Sequence, residues 1–208
     1  MLNDTICAIS TSLKDGAISI VRLSGDDTFE IIKKISDIKK IEANKIKYSH
    51  IFDNGEMIDE VLISFFVGPK SFTREDMAEI NCHGGVYVTR LILNLLLANG
   101  ARLAEPGEFT KRAYLNGRID LSEAESTNDL INATNHLQAK SAIKGINGSI
   151  ERLLSPLMEE IKTVIAQIEV NIDYPEYEDV LEMTNEIVKP HVLKWIAEMK
   201  DMINKADR

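Results

Sequence analysis

The chain has 208 residues, 24 Lys+Arg against 33 Asp+Glu and a 44% hydrophobic fraction, which fits one large or two small folded domains and excludes global disorder. Its net charge of −9 is uneven: residues 1–118 hold 15 Lys+Arg and 16 Asp+Glu, whereas residues 119–208 hold 9 and 17. That acidic back half excludes a broad surface for a nucleic-acid backbone, and no apolar run approaches the ~20 residues of a membrane helix.

Elements alternate through the front half. Thr5 to Ser10 and Ala17 to Leu23 are apolar, β-branched runs around Lys14-Asp15-Gly16, the pattern of two strands and a turn. Phe29, Ile31, Ile32 and Ile35 recur at helical spacing. Lys45 to Phe52 and Met57 to Val67 flank Asp53-Asn54-Gly55, a strong hairpin signal. A loop from Gly68 to Thr73 precedes a short strand, Met77 to Cys82. Gly84-Gly85 opens an apolar helix that Asn99-Gly100 stops. Ala101 to Glu105 reads as one more strand. Phe109 to Leu115 reads as a helix stopped by Asn116-Gly117. From Leu121 the pattern is helical: Ser122-x-x-Glu125 matches a capping box. Leu130, Ile131, Leu137, Ile143, Ile150, Leu153, Leu157, Ile161, Ile165 and Ile168 follow at three- and four-residue steps. One long helix or two are expected, bent near Gly145 to Gly148 and at Pro156 and ended by Asp173-Tyr174-Pro175. A last helix starts near Thr184 or Pro190, with Val192, Trp195, Ile196, Met199 and Ile203 on one face. The pattern stops without a cap, as at a fragment boundary. The expected fold is α+β: a mixed sheet with packed helices over residues 1–120, then an all-α segment over 121–208. The back part has too few helices to close a bundle alone, and is expected to pack on further sequence or another chain.

Alternation in Glu79-Ile80-Asn81-Cys82-His83-Gly84-Gly85 puts Glu79, Asn81 and His83 on one face of a strand, ahead of a helix start with free N–H donors. This is either a small-molecule site, with the glycines allowing close ligand approach, or an exposed polar strand end. Adjacent Cys82 and His83 point to opposite faces, which argues against zinc. With no export signal, Cys7 and Cys82 read as free cytosolic thiols. Lys111, Arg112 and Arg118 cluster behind Pro106-Gly107. Arg118, just past a helix-ending glycine, is placed to hold an anionic group. Arg22, inside an apolar strand, needs either an ion-pair partner or a ligand. Pro69 to Asp76 reads as a lid or subunit-contact loop, or a plain surface loop. Tyr174 to Asp179 is an acidic connector. The sequence holds no Gly-x-x-x-x-Gly-Lys-Ser/Thr phosphate loop and no defensible catalytic pair.

Together, Ile20-Val21-Arg22-Leu23-Ser24-Gly25, Ser71-Phe72-Thr73-Arg74-Glu75-Asp76, Glu79 through Gly85, and Pro106 through Leu121 resemble the MnmE, or TrmE, family of tRNA-modification GTPases. Asn171-Ile172-Asp173-Tyr174-Pro175 and the opening Thr5-Ile6-x-Ala8 are similar too. The resemblance implies that residues 1–120 form a tetrahydrofolate-binding and dimerisation domain. Residues 121–208 would be the first part of a helical domain, cut before an inserted GTPase domain that carries GTP, Mg and K. It implies 5-formyltetrahydrofolate as ligand, with folate contacts on Arg22, Glu79 and Arg118. It also implies a homodimer, a flavin-dependent partner MnmG, and modification of carbon 5 of the wobble uridine of certain tRNAs in the cytoplasm. A pterin presents an amino group and ring N–H side by side, which one carboxylate such as Glu79 can accept. One segment departs from the pattern: the family's Pro-Pro-Gly-x-Gly-Gly loop reads Ser12-Leu13-Lys14-Asp15-Gly16-Ala17 here, and is expected to be less constrained. Two other readings share the sequence: a purely structural dimerisation module without folate, and a free-standing folate-dependent one-carbon transferase.

Overall fold

The computed structural model describes residues 4–174 and 183–206. The acidic connector therefore lies almost wholly outside the described residues. The chain divides into two compact units, residues 1–125 and residues 126–208.

The first unit is built on a six-stranded sheet in the order β3-β4-β5-β2-β1-β6. The strands are β1 (Ile6–Ile9), β2 (Ile18–Ser24), β3 (Lys45–Asp53), β4 (Glu56–Phe66), β5 (Met77–His83) and β6 (Arg102–Leu103). Pairing is antiparallel throughout except for β1 with β6, which is parallel. The sheet is thus mixed, as expected. The β3–β4 turn places both Asn54 (φ 49°) and Gly55 (φ 86°) in left-handed conformation, the geometry for which Asn-Gly is favoured in a two-residue hairpin. A register irregularity follows at Ile51/Phe52.

Period-two alternation gives the sheet one apolar face, and two helices cover it. Helix α1 (Thr28–Ile35) supplies Ile31, Ile32 and Ile35, and α2 (Val86–Ala98) supplies Ile92, Leu95 and Leu96. They pack on Val21, Leu23, Ile63, Phe65, Ile80 and neighbours, all buried. Burying each such side chain stabilises by roughly 1.5–3 kcal/mol, so this face drives folding of the unit. The opposite face carries Arg22 and Glu79 together with Ile18, Ile46, Tyr48 and Leu62, the last four exposed.

Helix α3 (Glu108–Leu115) follows β6, entered through Gly107 at φ 76°. The helical segment differs from the expected one or two helices. It forms α4 (Leu121–Asn132), α5 (His136–Ile146) and α6 (Ser149–Asp173), and then α7 (Asn185–Ala206). The unforeseen break at residues 133–135 has a local cause: the Asn135 side chain caps α5 by accepting from the Gln138 N–H at 2.9 Å. The second break falls at Gly148, whose φ of 64° ends α5's run. Pro156 sits inside α6 and Pro190 inside α7. The capping box at the start of α4 is Asp120 with Glu123, not Ser122 with Glu125. Glu123 N–H donates to Asp120 Oδ1 at 2.7 Å, and Asp120 N–H to Glu123 Oε2 at 2.9 Å. In the second unit Leu157 and Val164 of α6 pack on Trp195 of α7, whose indole N–H donates to Glu160 Oε2 at 3.1 Å. Among the described residues, no helix is long and apolar enough to cross a membrane.

Candidate functional site

Arg22 and Glu79 are opposed across the antiparallel β2–β5 pair. Directly opposite residues share a face, so the guanidinium meets the carboxylate. Nε and Nη2 of Arg22 both reach Glu79 Oε1, at 2.8 and 2.7 Å. The lone charge inside β2 is thereby partnered, as an isolated one must be. The pair is only partly covered, with side chains 30% and 21% exposed. Among the described residues Oε2 of Glu79 takes no bond, so one acceptor oxygen remains available beside a fixed cation. The Phe109 ring of α3 lies 5.5 Å from the Arg22 guanidinium, within cation–π range.

Arg118 emerges after α3, where Gly117 adopts φ 68°. Its bonds run elsewhere than to Arg22 or Glu79. Nε donates to the Ser71 carbonyl at 3.1 Å, and the guanidinium lies 5.9 Å from the Phe72 ring. The structure thus joins Arg22 and Glu79 directly, while Arg118 belongs to the edge formed by α3 and the 71–76 loop. Phe109 on α3 links that helix back to Arg22. The set comprises two guanidinium groups, each beside an aromatic ring, and one carboxylate with a spare oxygen. It suits a ligand with a planar, donor-bearing end and an anionic or carbonyl-rich remainder.

The other polar residues of the 79–85 segment bond within the chain. Asn81 Nδ2 donates to the Leu62 carbonyl at 3.1 Å. His83 is exposed, and Asp59 holds it: Nδ1 lies 2.6 Å from Oδ1, and the backbone N–H donates to Oδ2 at 2.9 Å. Asp59 is buried, and its bond raises the His83 pKa above the usual value. Gly84 serves the chain rather than a ligand. A Cβ there would sit 2.5 Å from the Gly16 carbonyl oxygen, and Gly84 exchanges backbone bonds with Gly16 and Ala17 at 3.0 and 3.2 Å. The altered 12–17 loop is therefore anchored at its far end. A cleft of about 220 Å³ beside it is lined by Ile18, Tyr48, Glu60, Leu62, Asn81 and His83 among others. Burial pushes the Cys7 thiol up to about 11, so it is an inert core group.

The 69–76 loop is no lid. Thr73 is fully buried, Ser71 is nearly so, and both bond within the unit. Its Glu75 meets Arg112 of α3, which is 1% exposed. Arg112 also bonds Asp4 at 2.6 Å and Glu108 at 3.2 Å, and Arg102 bridges Asp4 and Glu108 in turn. Burial works against the Arg112 charge, and the bond to Asp4 with the nearby Glu75 outweighs it. The bond from Arg102 holds Glu108 down at about 2. Sequence reading gave Phe72, Glu75 and Phe109 no role of their own in the site, and took Arg112 only as one of a cluster of cations. The one available signal was Glu108-x-x-x-Arg112, a helical i,i+4 ion pair.

Comparison with known proteins matches two family models to successive parts of the chain. The model described as GTP-binding protein TrmE N-terminus matches residues 5–118, and that described as MnmE helical domain matches residues 121–208. The tRNA modification GTPase MnmE of Lactococcus lactis subsp. cremoris (strain MG1363) is 49% identical over 208 residues, covering 99% of this chain and 46% of the relative. The proteins of the same name from Streptococcus thermophilus (strain CNRZ 1066) and Streptococcus sanguinis (strain SK36) are 49% and 48% identical, again with 46% of each covered. The chain thus spans less than half the length of these relatives. It belongs to the MnmE, or TrmE, family of tRNA modification GTPases, and matches that family's N-terminal and helical domains.

Proposed function

We propose that residues 1–120 bind a reduced folate, 5-formyltetrahydrofolate, at Arg22, Glu79 and Arg118. The single observation that carries this reading is the half-open Arg22–Glu79 pair, with Glu79 Oε2 free among the described residues and Phe109 beside the guanidinium. Arg22 fixes the carboxylate through Oε1, and the spare Oε2 accepts an N–H donor of a pterin. Arg118, held against Phe72, receives carbonyl or carboxylate groups of the folate tail. The same unit self-associates through its open sheet face, where Ile18, Ile46, Tyr48 and Leu62 are exposed and Tyr48 pairs with Leu62 across β3 and β4. In a longer protein of this family, the two domains serve GTP-dependent modification of the wobble uridine in tRNA, alongside a flavin-dependent partner.

Isothermal titration with 5-formyltetrahydrofolate tests the ligand. Saturable binding is expected, weakened at least ~10-fold by Glu79→Ala and by Arg118→Ala. A folded protein that gives no binding heat sinks the proposal. It would then favour the purely structural dimer, a reading supported by Arg22 and Glu79 already satisfying each other. Light scattering on the same sample is expected to give a dimer mass, and Leu62→Glu a monomer.

A further inference from the structure

We infer that Glu75, which lies outside the proposed ligand contacts, is a positioning residue that holds Arg118 in its binding orientation. The inference rests on the reading of Arg118 as a ligand contact.

Arg118 is an exposed, long side chain whose placement depends on two loop groups, the Ser71 carbonyl and the Phe72 ring. Something must fix that loop against the end of α3, and the bonds converge on Glu75. Its Oε2 accepts from Ser24 Oγ at 2.7 Å, tying the loop to β2. Its Oε1 accepts from Arg112 Nη1 at 3.2 Å and from Asn116 Nδ2 at 3.5 Å, tying it to α3 and to the residue two before Arg118. Asn116 closes the circuit: its Nδ2 donates to the Thr73 carbonyl at 2.7 Å, and its own carbonyl accepts from Arg74 Nη1 at 3.0 Å. Arg74 has φ 63°, a left-handed conformation that a non-glycine residue keeps only when its surroundings enforce it.

The energetics point to geometry rather than to stability. Arg112 is buried among Asp4, Glu75 and Glu108, and among the described residues its Nε is the buried side-chain polar atom left without a partner. Buried ion networks of this kind are often no more stabilising than apolar packing of the same shape. They do dictate one arrangement of the elements that carry them, and a flexible arginine ordered in advance binds more tightly than a free one.

The test uses Glu75→Gln, which keeps the shape and removes the charge. In ligand-free protein, the Arg118 Nε–H resonance, assigned by its loss in Arg118→Lys, is expected to shift and to exchange faster with water. An unchanged Arg118 resonance overturns the inference, whatever the ligand does. In titrations with 5-formyltetrahydrofolate, Glu75→Gln is expected to weaken binding ~10-fold, yet by less than ~2-fold when added to Arg118→Ala. Additive losses also overturn it, because they mean Glu75 acts other than through Arg118. Absence of binding by the wild type with a shifted Arg118 signal removes the folate reading and leaves the positioning role standing. Ser24→Ala, which cuts only the β2 side of the circuit, gives the same readouts if Glu75→Gln does not fold, as judged by circular dichroism.

Discussion

The polar residues of β5 show how one strand face divides between binding and fastening. Glu79 keeps a free oxygen, whereas His83, four residues on, is held by a buried carboxylate. Asp59 accepts from the His83 backbone, from its ring and from the Glu60 N–H, so its charge is well solvated by the chain. That bond lifts the His83 pKa above 6.5. The sign follows directly: the contribution to stability is fully present below the unfolded-state pKa and is lost as pH rises through the higher folded-state value. A proton NMR titration is expected to give His83 a midpoint above 6.5, and Asp59→Asn to move it back toward 6.5. A wild-type midpoint at or below that value contradicts the geometry. The same residue was legible from alternation only as far as its face. Its partner lies 24 positions earlier, on the neighbouring strand β4, and no local spacing signals such a contact.

Elements were legible where one residue's backbone preference decides them. Asn54-Gly55 fixed the β3–β4 hairpin, and alternation separated the packed sheet face from the open one. The α-helical breaks were harder. Apolar spacing runs on through residues 133–135, so only the capping side chain of Asn135 marks the end of α4 and the start of α5. Gly84-Gly85 was readable as a special junction, but its purpose was not, because the neighbour it accommodates is Gly16, far away in sequence. The two glycines make opposite demands. A Cβ on Gly84 meets backbone atoms of residues 16 and 18 at 2.5–2.8 Å, which must move, whereas one on Gly85 meets nothing within 4 Å. Gly84→Ala is therefore expected to lower the unfolding free energy by ~1–3 kcal/mol, and Gly85→Ala by less than ~1 kcal/mol at this helix N-cap. Urea melts of the two variants check this; equal losses count against the close approach of the 12–17 loop.

At the scale of the molecule, the two units differ in how much apolar surface they bury. The sheet unit closes a core that runs from α1 and α2 across five strands. Among the described residues of the helical unit, the buried apolar cluster is Leu157, Val164 and Trp195, while Ile131, Leu137, Ile172, Leu193 and Ile203 stay exposed. At roughly 1.5–3 kcal/mol for each buried side chain, the helical unit has much less to set against its chain entropy. The acidic excess does not separate the units: residues 1–125 hold 15 Lys+Arg against 19 Asp+Glu, and residues 126–208 hold 9 against 14. The single tryptophan, Trp195, sits in that unit's core and reports on it alone. Its fluorescence is expected to change at lower urea than the near-ultraviolet signal of Tyr48, Phe65 and the other sheet-unit aromatics. Coincident transitions would mean that the two units unfold as one cooperative body, and that the thin helical core is stabilised by more than its own side chains.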